Sequence, residues 1–153
     1  MVKQPSPFRS PDLSNGSTLD RFAGSPWREL SDEDWKARLE PNAFSILRHE
    51  GTEPPGASSL NTEHGDGLFV CAGCELPLFK SEWKFDSGTG WPSFFKVFHE
   101  HIATKSDNKL GEARIEYHCA RCLGHQGHIF HDGPKPTGLR HCNDGGALRF
   151  HPA

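Results

Sequence analysis

Two Cys-x-x-Cys units, Cys71-Ala72-Gly73-Cys74 and Cys119-Ala120-Arg121-Cys122, constrain this chain more than any other feature. Two residues between cysteines let one tight turn aim both sulfurs and nearby backbone N–H groups at a single ion. A pair of such turns supplies the four thiolates of a tetrahedral structural zinc site. Two other readings of the spacing exist. Two disulfides would not survive a reducing compartment, and a pair of thioredoxin-like redox motifs would require a βαβ setting that the flanking sequence lacks. With 44 residues between the two units, zinc at Cys71, Cys74, Cys119 and Cys122 would pin two distant hairpins together. Four protein ligands leave no open coordination position, so such a site is a staple of the fold and not a place for chemistry.

The pattern around the cysteines is β. Leu68–Cys71, Leu78-Phe79, Phe94–Phe98 and Ala113–His118 read as strands, separated by turns rich in Gly, Pro, Asn and Asp. Before them, Ser31 with Asp32, Glu33 and Asp34 forms a helix start, with Trp35 and Leu39 four apart on one face, and Pro41 ends that helix. Phe44, Leu47 and Arg48 suggest a second short helix over Asn42–His49. Residues 1–26 are rich in Ser, Pro, Gly, Asn and Asp and read as a flexible leader to a single folded domain, 27–153. The 153 residues, 34% hydrophobic, suffice for one core and hardly two. The expected class is mainly β (β-rich α+β), with short N-terminal helices.

A formal net charge of −3 leaves no basic excess for a phosphate backbone, so nucleic acid is a poor partner. No apolar run approaches the roughly 20 residues of a membrane span. The first residues carry no apolar signal segment, which points to the cytoplasm. A monomer is expected.

If zinc takes four sulfurs, Cys142 is left over. It sits in Leu139-Arg140-His141-Cys142-Asn143-Asp144, beside a cation and an imidazole that favour a thiolate. The nucleophilic reading competes with that of a buried, inert thiol. Gly124-His125-Gln126-Gly127-His128 sets His125 and His128 three residues apart with small neighbours, as suits proton donors at neutral pH; a second metal site or surface histidines are the other readings. Trp91 lies in Ser87-Gly88-Thr89-Gly90-Trp91-Pro92-Ser93-Phe94, a loop constrained by Gly and Pro, where it serves a site or simply packs.

These blocks resemble the methionine-R-sulfoxide reductase family over about Leu30 to Phe150. The carriers are Gly51-Thr52-Glu53-Pro54-Pro55, both Cys-x-x-Cys units, Asp86–Phe94, His125-Gln126-Gly127-His128-Ile129-Phe130, Asp132-Gly133-Pro134, Pro136–Arg140 and Leu148-Arg149-Phe150. The resemblance implies a zinc-stapled, barrel-like fold of two antiparallel sheets and places the nucleophile at Cys142. It makes His125 and His128 proton donors and hydrogen-bonders, sets Trp91 against the substrate methyl group, with Phe94 and Phe130 as further substrate-contacting aromatics, and puts Arg140 near the thiol. The substrate is then oxidised methionine in proteins or a small sulfoxide. Thiolate attack on the sulfoxide sulfur, with its oxygen protonated, releases methionine and leaves a sulfenic acid on Cys142.

Three departures from the family pattern stand out. Where many members carry a resolving cysteine this chain has Thr89, so an external thiol, thioredoxin or another reductant, must regenerate Cys142. Where an Asn is usual, Asp144 stands. A carboxylate about 5 Å from the thiolate, at an effective dielectric near 20, costs about 3 kcal/mol and raises the thiol pKa by about 2. Asp144 escapes that conflict by facing solvent, by pairing with Arg140, or by holding His125 or His128 in its cationic form, while Asn143 offers a substitute amide from the next position. Third, Ser45 and Gly56 replace aromatic residues and thin the expected pocket wall. Beside the reductase stand two other readings: a diverged enzyme acting on a small metabolite, and a zinc-stapled binding module with an inert Cys142.

Overall fold

A capping box begins the first α-helix. Ser31 Oγ accepts from the Asp34 N–H, and the Asp34 carboxylate accepts from the Ser31 N–H, starting α1 (Asp32–Arg38). Each bond satisfies a backbone donor that the first turn leaves open. Pro41 then opens α2 (Pro41–His49), and Glu50 closes it in a left-handed conformation. In this computed structural model, which describes residues 22–107 and 114–153, nine strands follow among the described residues. Both helices bury one apolar edge, Trp35 from α1 and Ile46 with Leu47 from α2.

The strands are β1 (Gly67–Cys71), β2 (Pro77–Lys80), β3 (Lys84–Phe85), β4 (Ser93–Phe94), β5 (Ile102–Asp107), β6 (Arg114–Cys119), β7 (His125–Phe130), β8 (Arg140–Asn143) and β9 (Leu148–Pro152). They make two antiparallel sheets, a three-stranded one in the order β2-β1-β9 and a six-stranded one in the order β3-β4-β8-β7-β6-β5. The six-stranded sheet is open, with β3 and β5 at its edges. The core lies where the sheets meet: Phe79 of β2 stacks on Phe94 of β4, centroids 3.8 Å apart, and Phe69, Tyr117, Ile46 and Leu47 complete the same cluster. Such interdigitation of two inner faces is how stacked sheets close a core.

The mainly β class with two short helices is what the sequence implies. One expected strand differs: Phe94–Phe98 pairs only through Ser93-Phe94, and the chain then leaves the sheet as Phe95 N–H bonds the Trp83 carbonyl and Phe98 N–H that of Leu78. Of the leader expected over 1–26, residues 1–21 lie outside the described residues, as does Ala113. Phe22 packs against the core cluster, edge-on to His101. No helix among the described residues is long and apolar enough to cross a membrane.

Candidate active site and four-cysteine centre

The two Cys-x-x-Cys turns are built alike. Each begins as a strand ends, β1 at Cys71 and β6 at Cys119. In each, the residue after the second cysteine turns left-handed, Glu75 at φ 65° and Leu123 at φ 61°. Its N–H reaches back 2.8 Å to the carbonyl of the first cysteine. The four sulfurs are buried and lie within 4.8 Å of one another, with 3.7 Å between Cys71 and Cys122 and 3.4 Å between Cys74 and Cys119. A tetrahedral ion with bonds of about 2.3 Å needs sulfurs about 3.8 Å apart, so the cluster fits a metal ion. Gly73 N–H and Gln126 Nε2 point at Cys71 Sγ and Gly124 N–H at Cys122 Sγ, which suits sulfur in its anionic form. Three arginines clamp the turns: Arg28 donates to the Ala120 carbonyl, Arg48 to that of Cys122 and Arg121 to that of Cys74. Their charge offsets the excess negative charge of four thiolates around a divalent ion. Cys71 to Cys74 joins β1 to β2, and Cys119 to Cys122 joins β6 to β7, so an ion here ties the two sheets together.

Cys142 stands apart from that cluster. Antiparallel register places it between Ser93 of β4 and His128 of β7, and His128 in turn beside Glu116 of β6. Register partners share a face, so Cys142, His128 and Glu116 form one row across the large sheet. A cavity of about 410 Å³ opens over this row, and its lining includes Trp91, Glu116, His125, His128, Phe130 and Cys142. Burial pushes the Cys142 thiol up to about 11; the nearby Arg140 guanidinium pulls it down and the Asp144 carboxylate adds to the rise. The resting sulfur is therefore a thiol at neutral pH.

Of the two neighbours expected to favour a thiolate, Arg140 does pull the thiol down while also pairing with Asp132, and His141 is used elsewhere. His141 points to the opposite face, with Nδ1 3.1 Å from the Phe94 carbonyl and its ring edge-on to Phe79 and Tyr117. Arg140 holds both oxygens of Asp132, at 2.9 and 3.2 Å, and covers the Phe130 ring at 4.3 Å. Strand alternation explains both, since Arg140 and Cys142 share a face and His141 does not.

Asp144 neither faces solvent nor pairs with Arg140. Its Oδ1 accepts from the Thr52 hydroxyl at 2.8 Å and the Glu53 N–H at 3.3 Å, while Oδ2 lies 3.7 Å from His125 Nε2. Burial nevertheless raises its pKa, with Thr52, Glu53 and the two histidines pulling the other way. Asn143 lines the cavity, with its amide engaged inside: it gives its N–H groups to Gln126 Oε1 and the Asp144 carbonyl and takes the Tyr117 hydroxyl on its oxygen. Phe94 is likewise no part of the cavity, because its ring is fully buried against Phe79 on the core face. Ser45 and Gly56 are not among the residues that line the cavity.

Three site residues escaped the sequence reading. Thr52 and Glu53 anchor Asp144, and the Glu53 carbonyl also takes the Trp91 Nε1–H at 3.1 Å. Gly88 and Gly90, at φ 77° and 96°, give the Trp91 loop its shape. Glu116 is 1% exposed and sits with Oε1 3.6 Å from His125 Nδ1 and 3.9 Å from His118 Nε2. Burial works against its charge, but the His125 ring and the charges of His118 and Lys105 prevail, leaving it at about 2. The alternation Arg114, Glu116, His118 was the available signal. Alternating polar residues normally mark a solvent face, and here α2 packs on the neighbouring β7.

Comparison with known proteins fits this arrangement. Residues 39–152 match the model of the SelR domain. The chain belongs to the SelR family. Peptide methionine sulfoxide reductase MsrB of Thiobacillus denitrificans is 45% identical over 123 residues, 80% of this chain and 93% of that protein. The protein of the same name from Bradyrhizobium diazoefficiens is 45% identical over 143 residues, 93% of this chain and 99% of its own. That of Caulobacter vibrioides is 46% identical over 141 residues, covering 90% and 89%. The four cluster cysteines, Cys71, Cys74, Cys119 and Cys122, and the cavity residues Trp91, His125, His128 and Cys142 fall inside the SelR span.

Proposed function

We propose that this chain is a methionine-R-sulfoxide reductase whose nucleophile is Cys142. The observation that carries the reading is a free cysteine, outside the four-cysteine cluster, in a cavity between two aromatic side chains, Trp91 and Phe130, and two imidazoles. An aromatic wall suits a methyl sulfide and imidazoles suit the sulfoxide oxygen. Cys142 Sγ bonds to the sulfoxide sulfur while a proton passes from His125 or His128 to the oxygen, and the thiol proton returns to the imidazole. The hydroxyl then transfers from the substrate sulfur to Cys142 Sγ as the S–O and the new S–S bonds break, so that the oxygen ends on Cys142 as a sulfenic acid and methionine leaves as the thioether. Two external thiols then restore the cysteine, giving one disulfide and one water. Thioredoxin or another thiol fills that role, because no cysteine remains outside the cluster besides Cys142 itself.

A thiol at rest suits the scheme. Cys142 stays unreactive until substrate displaces water and brings the oxygen that accepts the proton. Asp144 and Glu116 hold the His125 ring from its two sides and so orient it as a proton carrier. Zinc is the ion we assign to Cys71, Cys74, Cys119 and Cys122, where it would staple the two sheets and take no part in the reaction. The protein acts as a cytoplasmic monomer in this reading.

The test is turnover of a peptide carrying methionine-R-sulfoxide, and of the free amino acid, with dithiothreitol as reductant. Wild type should turn over at least one of them, and Cys142→Ser should lose at least 10³-fold. A folded, zinc-loaded wild type without activity on either substrate would leave a small-metabolite enzyme or a binding module in its place.

A further inference from the structure

Behind His125 lies a second group of potential ligands, which joins His125 and Glu116 to His118, a residue the reduction chemistry does not use. Strand β6 presents Glu116 and His118 on one face, and an irregularity in the β6–β7 register at Tyr117/His118 sets His118 opposite His125. One ligand atom each of Glu116, His118 and His125 lies within 4.8 Å of the others, Glu116 Oε1 being 3.9 Å from His118 Nε2 and 3.6 Å from His125 Nδ1, on residues 1%, 3% and 4% exposed. His125 Nδ1 has no hydrogen-bond partner, although it is buried and aimed into this space. Facing the Glu116 carboxylate at 3.6 Å without a hydrogen bond, this nitrogen and that oxygen leave room for an ion between them. We propose that Glu116, His118 and His125 form a second metal site, for a divalent transition ion such as Zn²⁺, separate from the four cysteines.

The donor set selects the class of ion. Two imidazoles and one carboxylate suit zinc and its first-row neighbours, whereas calcium and magnesium call for oxygen ligands throughout. The surroundings complete the arrangement. The other nitrogen of His125, Nε2, faces Asp144 Oδ2 at 3.7 Å, and a carboxylate on the far nitrogen fixes the ring and strengthens it as a ligand. Glu116 divides its oxygens, Oε1 toward the imidazoles and Oε2 toward Lys105 Nζ at 4.0 Å. The lysine charge weakens attraction for a cation, so this ion exchanges while that of the cysteines stays. Glu116 and His125 line the 410 Å³ cavity, which supplies an entry path and a fourth position for water. An ion on His125 Nδ1 removes that ring from proton transfer. Resting on the reductase reading, the consequence is reversible inhibition by zinc.

The experiment is a Zn²⁺ titration of the protein with its four-cysteine site already loaded, read as metal equivalents bound, with Co²⁺ absorption as a second probe. Wild type and Cys142→Ser should each bind one further equivalent, and Co²⁺ there should lack the thiolate charge-transfer band. His118→Gln should bind none and keep basal turnover, while wild-type turnover falls more than tenfold as the second equivalent fills. Glu116→Gln repeats the binding test should His118→Gln not fold. No further equivalent in wild type overturns the site, as does its persistence in a folded His118→Gln or its loss in Cys142→Ser. Where the chain proves inactive on sulfoxides, the stoichiometry alone decides the site.

Discussion

Asp144 turns one carboxylate oxygen to within 3.7 Å of His125 Nε2 and anchors the other on Thr52 and Glu53. A residue two places from the Cys142 thiol is thereby bound to the histidine framework of the cavity. Its charge still bears on the sulfur, adding to the rise that burial imposes on the thiol. In Asp144→Asn the amide oxygen retains the Thr52 and Glu53 contacts and the charge is gone. Alkylation of Cys142 by iodoacetamide at pH 7 should then be about 3- to 10-fold faster than in wild type. An unchanged or slower rate would show that the carboxylate does not act on the sulfur.

In wild type the same alkylation should rise about tenfold per pH unit from pH 7 to 10, because only the thiolate reacts and the thiol pKa lies at about 11. A plateau below pH 8 would place the pKa much lower and contradict a buried resting thiol.

The cysteines should divide into two classes. Cys119→Ser leaves one ligand short, and because the binding free energy of a structural metal is folding free energy, the variant should lose its ion and its cooperative melt. Cys142→Ser should keep one equivalent of zinc and melt within a few degrees of wild type. Strong chelation with heat should unfold wild type by the same route. A stable, zinc-free Cys119→Ser protein is incompatible with a staple.

His141 makes the fold sensitive to acid. Desolvation lowers its pKa to about 4, against 6.5 in the unfolded chain. The unfolded state therefore binds a proton that the folded state refuses, and stability falls as pH drops from 6.5 toward 4. The slope is about 1.4 kcal/mol per pH unit from this residue alone, about 3 kcal/mol in all. Urea midpoints of His141→Gln should be lower than wild type at pH 7 and fall less steeply over that window. Parallel profiles would mean that His141 is not held neutral.

Gly127 carries the pairing of β7 with β8. A Cβ at this position would meet the Cys142 carbonyl oxygen at 1.9 Å, which no rotamer change relieves. Gly127→Ala should cost several kcal/mol, within the range of severe backbone clashes, and should reduce turnover more than it reduces zinc content, since it displaces Cys142 and leaves the cysteine turns intact.

Local chemistry made much of this legible. Cys-x-x-Cys repeated after two strands implies four converging sulfurs wherever the turns end up, because the tight turn orients each pair by itself. Ser31 marks a helix start and Pro41 the end of that helix through backbone geometry alone, and Cys142 stands out by subtraction, with His125 and His128 in a block too specific to misplace. What lies across the sheet was another matter. Whether His141 or Arg140 faces the thiol depends on the parity of β8. Whether Phe94 lines a cavity or a core depends on which side of β4 meets β2. Glu116, read along β6 alone, is one more alternating polar residue; only the pairing of β6 with β7 puts it under His125. The fate of Asp144 was decided the same way, by Thr52 and Glu53 arriving from a loop 92 and 91 residues earlier in the chain. Sequence by itself determined the family and the cysteine cluster and singled out Cys142, since each rests on spacing within a few residues. Tertiary structure decided which carboxylates and cations share the cavity with Cys142, because side-chain direction and strand register are settled only when the sheets pack.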